Sequence, residues 1–134
     1  AYAWRWLAPH DETAQRALAA AAARVKPGTL PYAYVLSAAV RVWPDAPQAA
    51  TWREQLERVL LNGDPGARFE ASQALAASFP RAKLAALRPL LDDEAGDTQI
   101  AGAGLILRVL RRDRTRAGAG GARPRGEGAA GGKP

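Results

Sequence analysis

The sequence contains no cysteine, no methionine and a single histidine, His10. Without cysteine there is no disulfide, zinc–thiolate site, iron–sulfur cluster or cysteine nucleophile. One imidazole excludes every site that needs two, such as the HExxH zinc helix. No cofactor or metal is therefore expected. Long hydrophobic runs are missing too. The longest stretch of Ala and larger apolar residues is Ala17–Ala23, far short of the roughly 20 residues that span a bilayer. No membrane span is expected, and no secretory leader is visible. A chain without Cys fits either redox compartment, and the reading leans to the cytoplasm. With no Met and a start at Ala1, a processed chain or a piece of a longer one is expected. Strict period-two alternation is almost absent, which argues against strands.

What is present is charge, and it is unevenly placed. The formal net charge is +6 over 134 residues. Residues 1–110 carry only +1 of it, and residues 111–134 carry +5. From Arg111 on there is no Leu, Ile, Val, Phe, Tyr or Trp, while Gly, Ala and Arg recur. Such a segment buries too little surface to offset the ordering of its backbone. Residues 113–134 are predicted to be a disordered basic tail, and residues 1–112 a folded domain. The basic excess invites a nucleic-acid reading. It applies only to the tail, because the body has no basic stripe interleaved with aromatics.

Ala, the best helix former, is the commonest residue. Pro, Gly and Asp punctuate the body at regular intervals and predict six helices. The first runs from Asp11, a plausible N-cap, to Val25, with Ala14, Leu18, Ala21 and Val25 inward. The second runs from Pro31 to Trp43, with Val35, Ala38, Ala39 and Val42 on one face. The third runs from Pro47 to Leu61. Its core stripe is Trp52, Leu56, Val59 and Leu60, and Arg53–Glu57 and Glu54–Arg58 are spaced as i,i+4 ion pairs. The fourth begins at Asp64-Pro65 and runs to Ser78, with Ala67, Ala71, Ala74, Leu75 and Ser78 forming a small-residue face. The fifth spans Arg81 to Leu91, with Leu84, Leu87 and Leu91 inward and a bend expected at Pro89. The sixth runs from Asp97 or Thr98 to Arg112, with Ile100, Ala103, Leu107 and Leu110 as its stripe. Gly102 and Gly104 weaken that helix and suggest close approach of a neighbour.

The later helices repeat. Leu56–Leu60 matches Leu87–Leu91, and each is followed by Gly-Asp, at Gly63-Asp64 and Gly96-Asp97. A period near 33 built from helix pairs is the sign of an α-solenoid. The expected fold is all-α, a short stack of three antiparallel helix pairs. The run Asp64-Pro65-Gly66-Ala67-Arg68, then Ala71, Ala74 and Leu75, resembles the first helix of a HEAT repeat. Leu84, Leu87, Leu90, Leu91 and Asp92 resemble the second. The resemblance covers residues 56–110. It implies a ladder in which Asp and Arg link neighbouring repeats, although Ile100 or Ala101 stands where the next Arg would be. Tetratricopeptide repeats share the period and pairing, but their Trp-x-x-Leu-Gly-x-x-Tyr pattern is absent.

The resemblance implies a non-enzymatic scaffold that binds protein partners. Its second helices would line the binding surface and offer Arg53, Glu54, Glu57, Arg58, Lys83 and Arg88. Two alternatives stand beside it: a nucleic-acid-associated module acting through the tail, or an accessory domain of a larger enzyme. His10-Asp11-Glu12 lacks a second catalytic partner and reads as a loop before a capped helix. Asp92-Asp93-Glu94 lacks the alternating spacing of a calcium loop and reads as a solvated turn. Tyr2, Trp4, Trp6, Tyr32, Tyr34 and Trp43 are a dense aromatic group. Most are expected to pack the first helix pair, with Tyr2, Trp4 and Trp6 forming a partly exposed N-terminal edge beside an upstream segment.

Overall fold

The computed structural model describes residues 12–131, with side chains described as far as Gly118. Among these residues there is no strand. The helices are α1 (Glu12–Arg24), α2 (Leu30–Val42), α3 (Ala49–Asn62), α4 (Pro65–Leu75), α5 (Arg88–Leu91) and α6 (Gly96–Gly131), with a 3-10 segment over Arg81–Leu87 leading into α5. Tyr2, Trp4, Trp6, His10 and Asp11 lie outside the described residues.

The predicted punctuation places these elements. Gly28 turns the chain after α1 with φ at +84°, a conformation Gly adopts without a Cβ penalty. The Thr29 hydroxyl closes the turn by donating to the Lys26 carbonyl at 2.7 Å. Pro31 and Pro65 fall in the first turns of α2 and α4, where a missing N–H costs nothing. The predicted fifth helix divides instead. Pro89 has no N–H to donate, and its ring clashes with the carbonyl four residues back, so α geometry does not extend upstream of it. The chain takes a 3-10 path there. Its three-residue period puts Leu84, Leu87 and Leu90 in line. Leu87 and Leu90 are buried, Leu84 is half-buried, and Leu91, expected inside, is exposed.

The helices pack as a stack of pairs in two layers. α2 lies against α4 and α4 against α6, forming one closely packed layer. α1, α3 and the Arg81–Leu91 segment form the other, each packed on the first layer. The small face of α4 permits this: Ala67, Ala71, Ala74 and Leu75 are buried between neighbours, joined by Ser72 rather than the expected Ser78. The α3 stripe Trp52, Leu56, Val59 and Leu60 is buried as predicted, and Trp52 packs on Trp43 with ring centres 6.4 Å apart.

Two further stripes differ from expectation. α2 is covered on several sides by α1, α3 and α4, and it buries Tyr32, Ala33, Leu36, Ser37, Ala39 and Val40. Val35, Ala38 and Val42 are only half-buried. α6 is rotated by about half a turn. It presents Thr98, Ala101, Gly102, Leu105 and Val109 to the core, and leaves the predicted stripe outward: Ile100 is 59% exposed and Leu107 66%. Gly102 accounts for the rotation. A Cβ at this position would lie 2.8 Å from Leu90 Cβ, so only Gly lets α5 and α6 come this close. Gly104, paired with it in the sequence reading, faces open space.

The turns at one edge of the stack are joined to each other. The Asp64 N–H donates to the Gly28 carbonyl at 2.8 Å, linking the α3–α4 turn to the α1–α2 turn. Arg68 donates from Nε to the Gly63 carbonyl at 2.6 Å and from Nη1 to Asp93 Oδ2 at 3.4 Å, reaching the turn before α6. At the far end of α4, Arg112 Nη1 donates to the Ala76 carbonyl at 3.1 Å. Its Nε donates to Asp113 Oδ1 at 2.9 Å, which holds that carboxyl below its ordinary range. α6 continues to Gly131, past residue 113 where the tail was expected to begin. Its packing ends near that residue, since residues 114–118 are all exposed.

Candidate interaction groove

The closely packed layer carries a groove of about 510 Å³ on its outer surface. Leu30 and Tyr34, one turn apart on α2, form one wall. Phe69 of α4 and Ile100 of α6 complete the apolar lining. Tyr34 is 55% exposed and Phe69 38%. Gly66 of α4 keeps the floor low, because a Cβ there would meet only Leu30 Cδ2, at 3.9 Å. The rim is polar: Glu70, Gln73 and Asp97 border it. Glu70 lies 3.7 Å from Arg41 of α2, and its side chain is largely covered. Asp97, in the first turn of α6, is exposed. The groove thus offers aromatic and aliphatic contact area with carboxylates at its edge.

The residues expected at a binding surface lie in the other layer. Arg53, Glu54, Glu57 and Arg58 are on α3, Lys83 is in the 3-10 segment and Arg88 opens α5. The structure brings two of them together: Lys83 Nζ approaches Glu57 Oε2 to 3.2 Å, bridging neighbouring elements. Arg53 Nη1 donates to the Pro44 carbonyl at 3.2 Å. The expected Arg53–Glu57 pair does not form, because both side chains are engaged elsewhere, and Glu54 and Arg58 are exposed and do not pair with each other. Arg88 is exposed.

Asp93, in the acidic turn, has a structural part. Its Oδ1 accepts the Ala95 N–H at 2.8 Å, its Oδ2 meets Arg68, and its carbonyl accepts from Gln99 Nε2 at 2.7 Å. Among the described residues no group of three or more His, Asp or Glu could hold a metal ion. No described helix is long and apolar enough to cross a membrane. Of the expected aromatic group, Tyr32 and Trp43 are buried while Tyr34 is on the groove. A smaller cavity of about 330 Å³ lies where α1 starts and α2 ends, lined by Val42, Trp43, Pro44 and Pro47 with Glu12 and Gln15.

Sequence periodicity missed the groove because its four apolar residues come from three helices separated by up to 70 positions. The only local signal was Tyr34, one turn after Leu30. Comparison with protein-family models, with curated proteins and with solved structures finds no match for the chain.

Proposed function

We propose that the chain is a non-enzymatic, HEAT-like helical-repeat module that binds a protein partner in the α2–α4–α6 groove. The observation that carries this reading is the exposure of Leu30, Tyr34, Phe69 and Ile100 side by side on one layer. Contiguous apolar surface of this kind on a folded chain marks an interaction site, and aromatic side chains are the usual anchors of binding energy. The occupant is an apolar segment of a partner flanked by a basic residue, which would meet Asp97 at the rim. Support for HEAT-like pairing comes from Arg68, which links successive turns as the family's ladder arginine does. Its carboxylate partner is Asp93 rather than Asp97.

A displayed peptide library selected on the full chain tests this. Enriched peptides should share an apolar anchor next to Lys or Arg. Tyr34→Ala or Phe69→Ala should weaken them by about tenfold or more, which is about 1.4 kcal/mol, and Tyr34→Ala, at the more exposed of the two positions, should leave thermal unfolding nearly unchanged. A selection with no enriched sequence, or binders indifferent to both substitutions, would overturn the proposal.

A further inference from the structure

The outward face of α6 is apolar and regular. Ile100, Ala103, Leu107 and Leu110 stand at i, i+3, i+7 and i+10, the spacing of a coiled-coil seam. Ile100 is 59% exposed, Leu107 66% and Leu110 36%, while Ala103 is half-buried. The opposite face of the same helix, Ala101, Leu105 and Val109, is already in the core. A helix that is apolar on both sides over this length is one with partners on both sides.

Charge along α6 says what the second partner is. Asp92, Glu94 and Asp97 are exposed at its start, and Arg108, Arg111 and Arg114 are exposed further along. A second copy of α6 laid antiparallel matches each end to its opposite. A parallel copy would stack like on like. We infer that the chain self-associates as a two-fold dimer through antiparallel pairing of the Ile100–Leu110 face of α6. In this register Ile100 meets the partner's Leu110, and Ala103 meets the partner's Leu107, small against large. Asp97 falls beside the partner's Arg111. Gly104 lies on the same flank, at the two-fold axis, facing the partner's Gly104. Its lack of a side chain has no reason within one copy, since a Cβ there would touch nothing within 4 Å. Between two copies it lets the helices approach. The seam is only two heptads long and offers four apolar side chains per copy, a small contact next to the roughly 20–30 residues a side of a standard interface, so the dimer is weak and concentration-dependent. It uses a different face from the groove, and the two share Ile100 and Asp97 at their common edge.

The test is sedimentation of the full chain from low micromolar to near-millimolar concentration. The expected result is a shift from one chain to two that weakens as salt rises. Leu107→Lys should reduce association by at least about tenfold with unfolding at low concentration unchanged, because this side chain is outside the core. Arg111→Asp should weaken the dimer, and adding Asp97→Arg should restore it. Because the chain has no cysteine, Gly104→Cys reports the axis directly. It should form a disulfide dimer faster than Ala20→Cys, an exposed position on α1. A chain that stays monomeric throughout, a dimer indifferent to Leu107→Lys, or a Gly104→Cys variant no faster than the Ala20→Cys control would overturn the inference.

Discussion

Gly102 and Gly104 are two residues apart on one helix, and replacing each by Ala should have opposite effects. Both substitutions gain about 1 kcal/mol in helix propensity. At Gly104 nothing opposes the gain, since the new methyl has no neighbour within 4 Å. At Gly102 the methyl would sit 2.8 Å from Leu90 Cβ, and also 3.5 Å from Leu91 Cδ2. Carbon atoms pack favourably at about 3.5–4.0 Å, so the contact with Leu90 is short by roughly 0.7 Å or more. The offending atom is a Cβ fixed to the backbone, and Leu90 is 1% exposed. The clash cannot be relieved by a side-chain rotation. The short α5 must move, and overpacking of this kind costs about 1–3 kcal/mol. Because propensity cancels between the two variants, Gly102→Ala should be about 1–3 kcal/mol less stable than Gly104→Ala. For a domain of this size that separates their melting temperatures by at least about 4 °C. Thermal and urea unfolding, followed by circular dichroism at concentrations too low for self-association, measures the difference. If Gly102→Ala matches or exceeds Gly104→Ala, α5 and α6 do not meet as described.

Two further substitutions test the interior and the joined turns. Ser37 is buried with no hydrogen-bond partner for its hydroxyl. Ser37→Ala should leave urea stability unchanged or raise it by up to about 1 kcal/mol, and a clear loss would reveal a partner. Arg68→Met removes the bonds to Gly63 and Asp93 while keeping the packing stem, and should cost about 1.5–3 kcal/mol. A loss below about 0.5 kcal/mol in the same urea experiment would mean that the turns are not joined through this side chain.

The helices were legible because their ends are chemically marked. Pro31, Pro65 and Gly28 act through the backbone, and tertiary context does not override them. The α3 stripe was legible because α3 is covered on one side only, so Trp52, Leu56, Val59 and Leu60 had no rival face. α6 has two apolar faces of equal periodicity. The larger residues suggested Ile100 and Leu107, yet the core took Ala101, Gly102 and Leu105, because α6 must pack closely on Leu90 of α5 and only a small surface allows it. α2 was ambiguous for a related reason: three helices cover it, so burial follows no single stripe. The Arg81–Leu87 segment shows how one residue redirects a pattern. Pro89 converts a period of 3.6 into one of three, and this exchanges Leu91 for Leu90 inside. The groove could not be read because it exists only once α2, α4 and α6 are side by side.

The rotation of α6 fixes both what the core contains and what the surface offers, so it is the feature to measure. Leu105→Ala and Leu107→Ala, compared by urea unfolding at low concentration, separate the two arrangements. Leu105 is fully buried, and its truncation should cost about 2–5 kcal/mol. Leu107 is 66% exposed, and its truncation should fall within about 0.5 kcal/mol of the parent chain. A large loss at Leu107 with little at Leu105 would place the helix the other way round, and would remove both the groove's Ile100 and the outward seam.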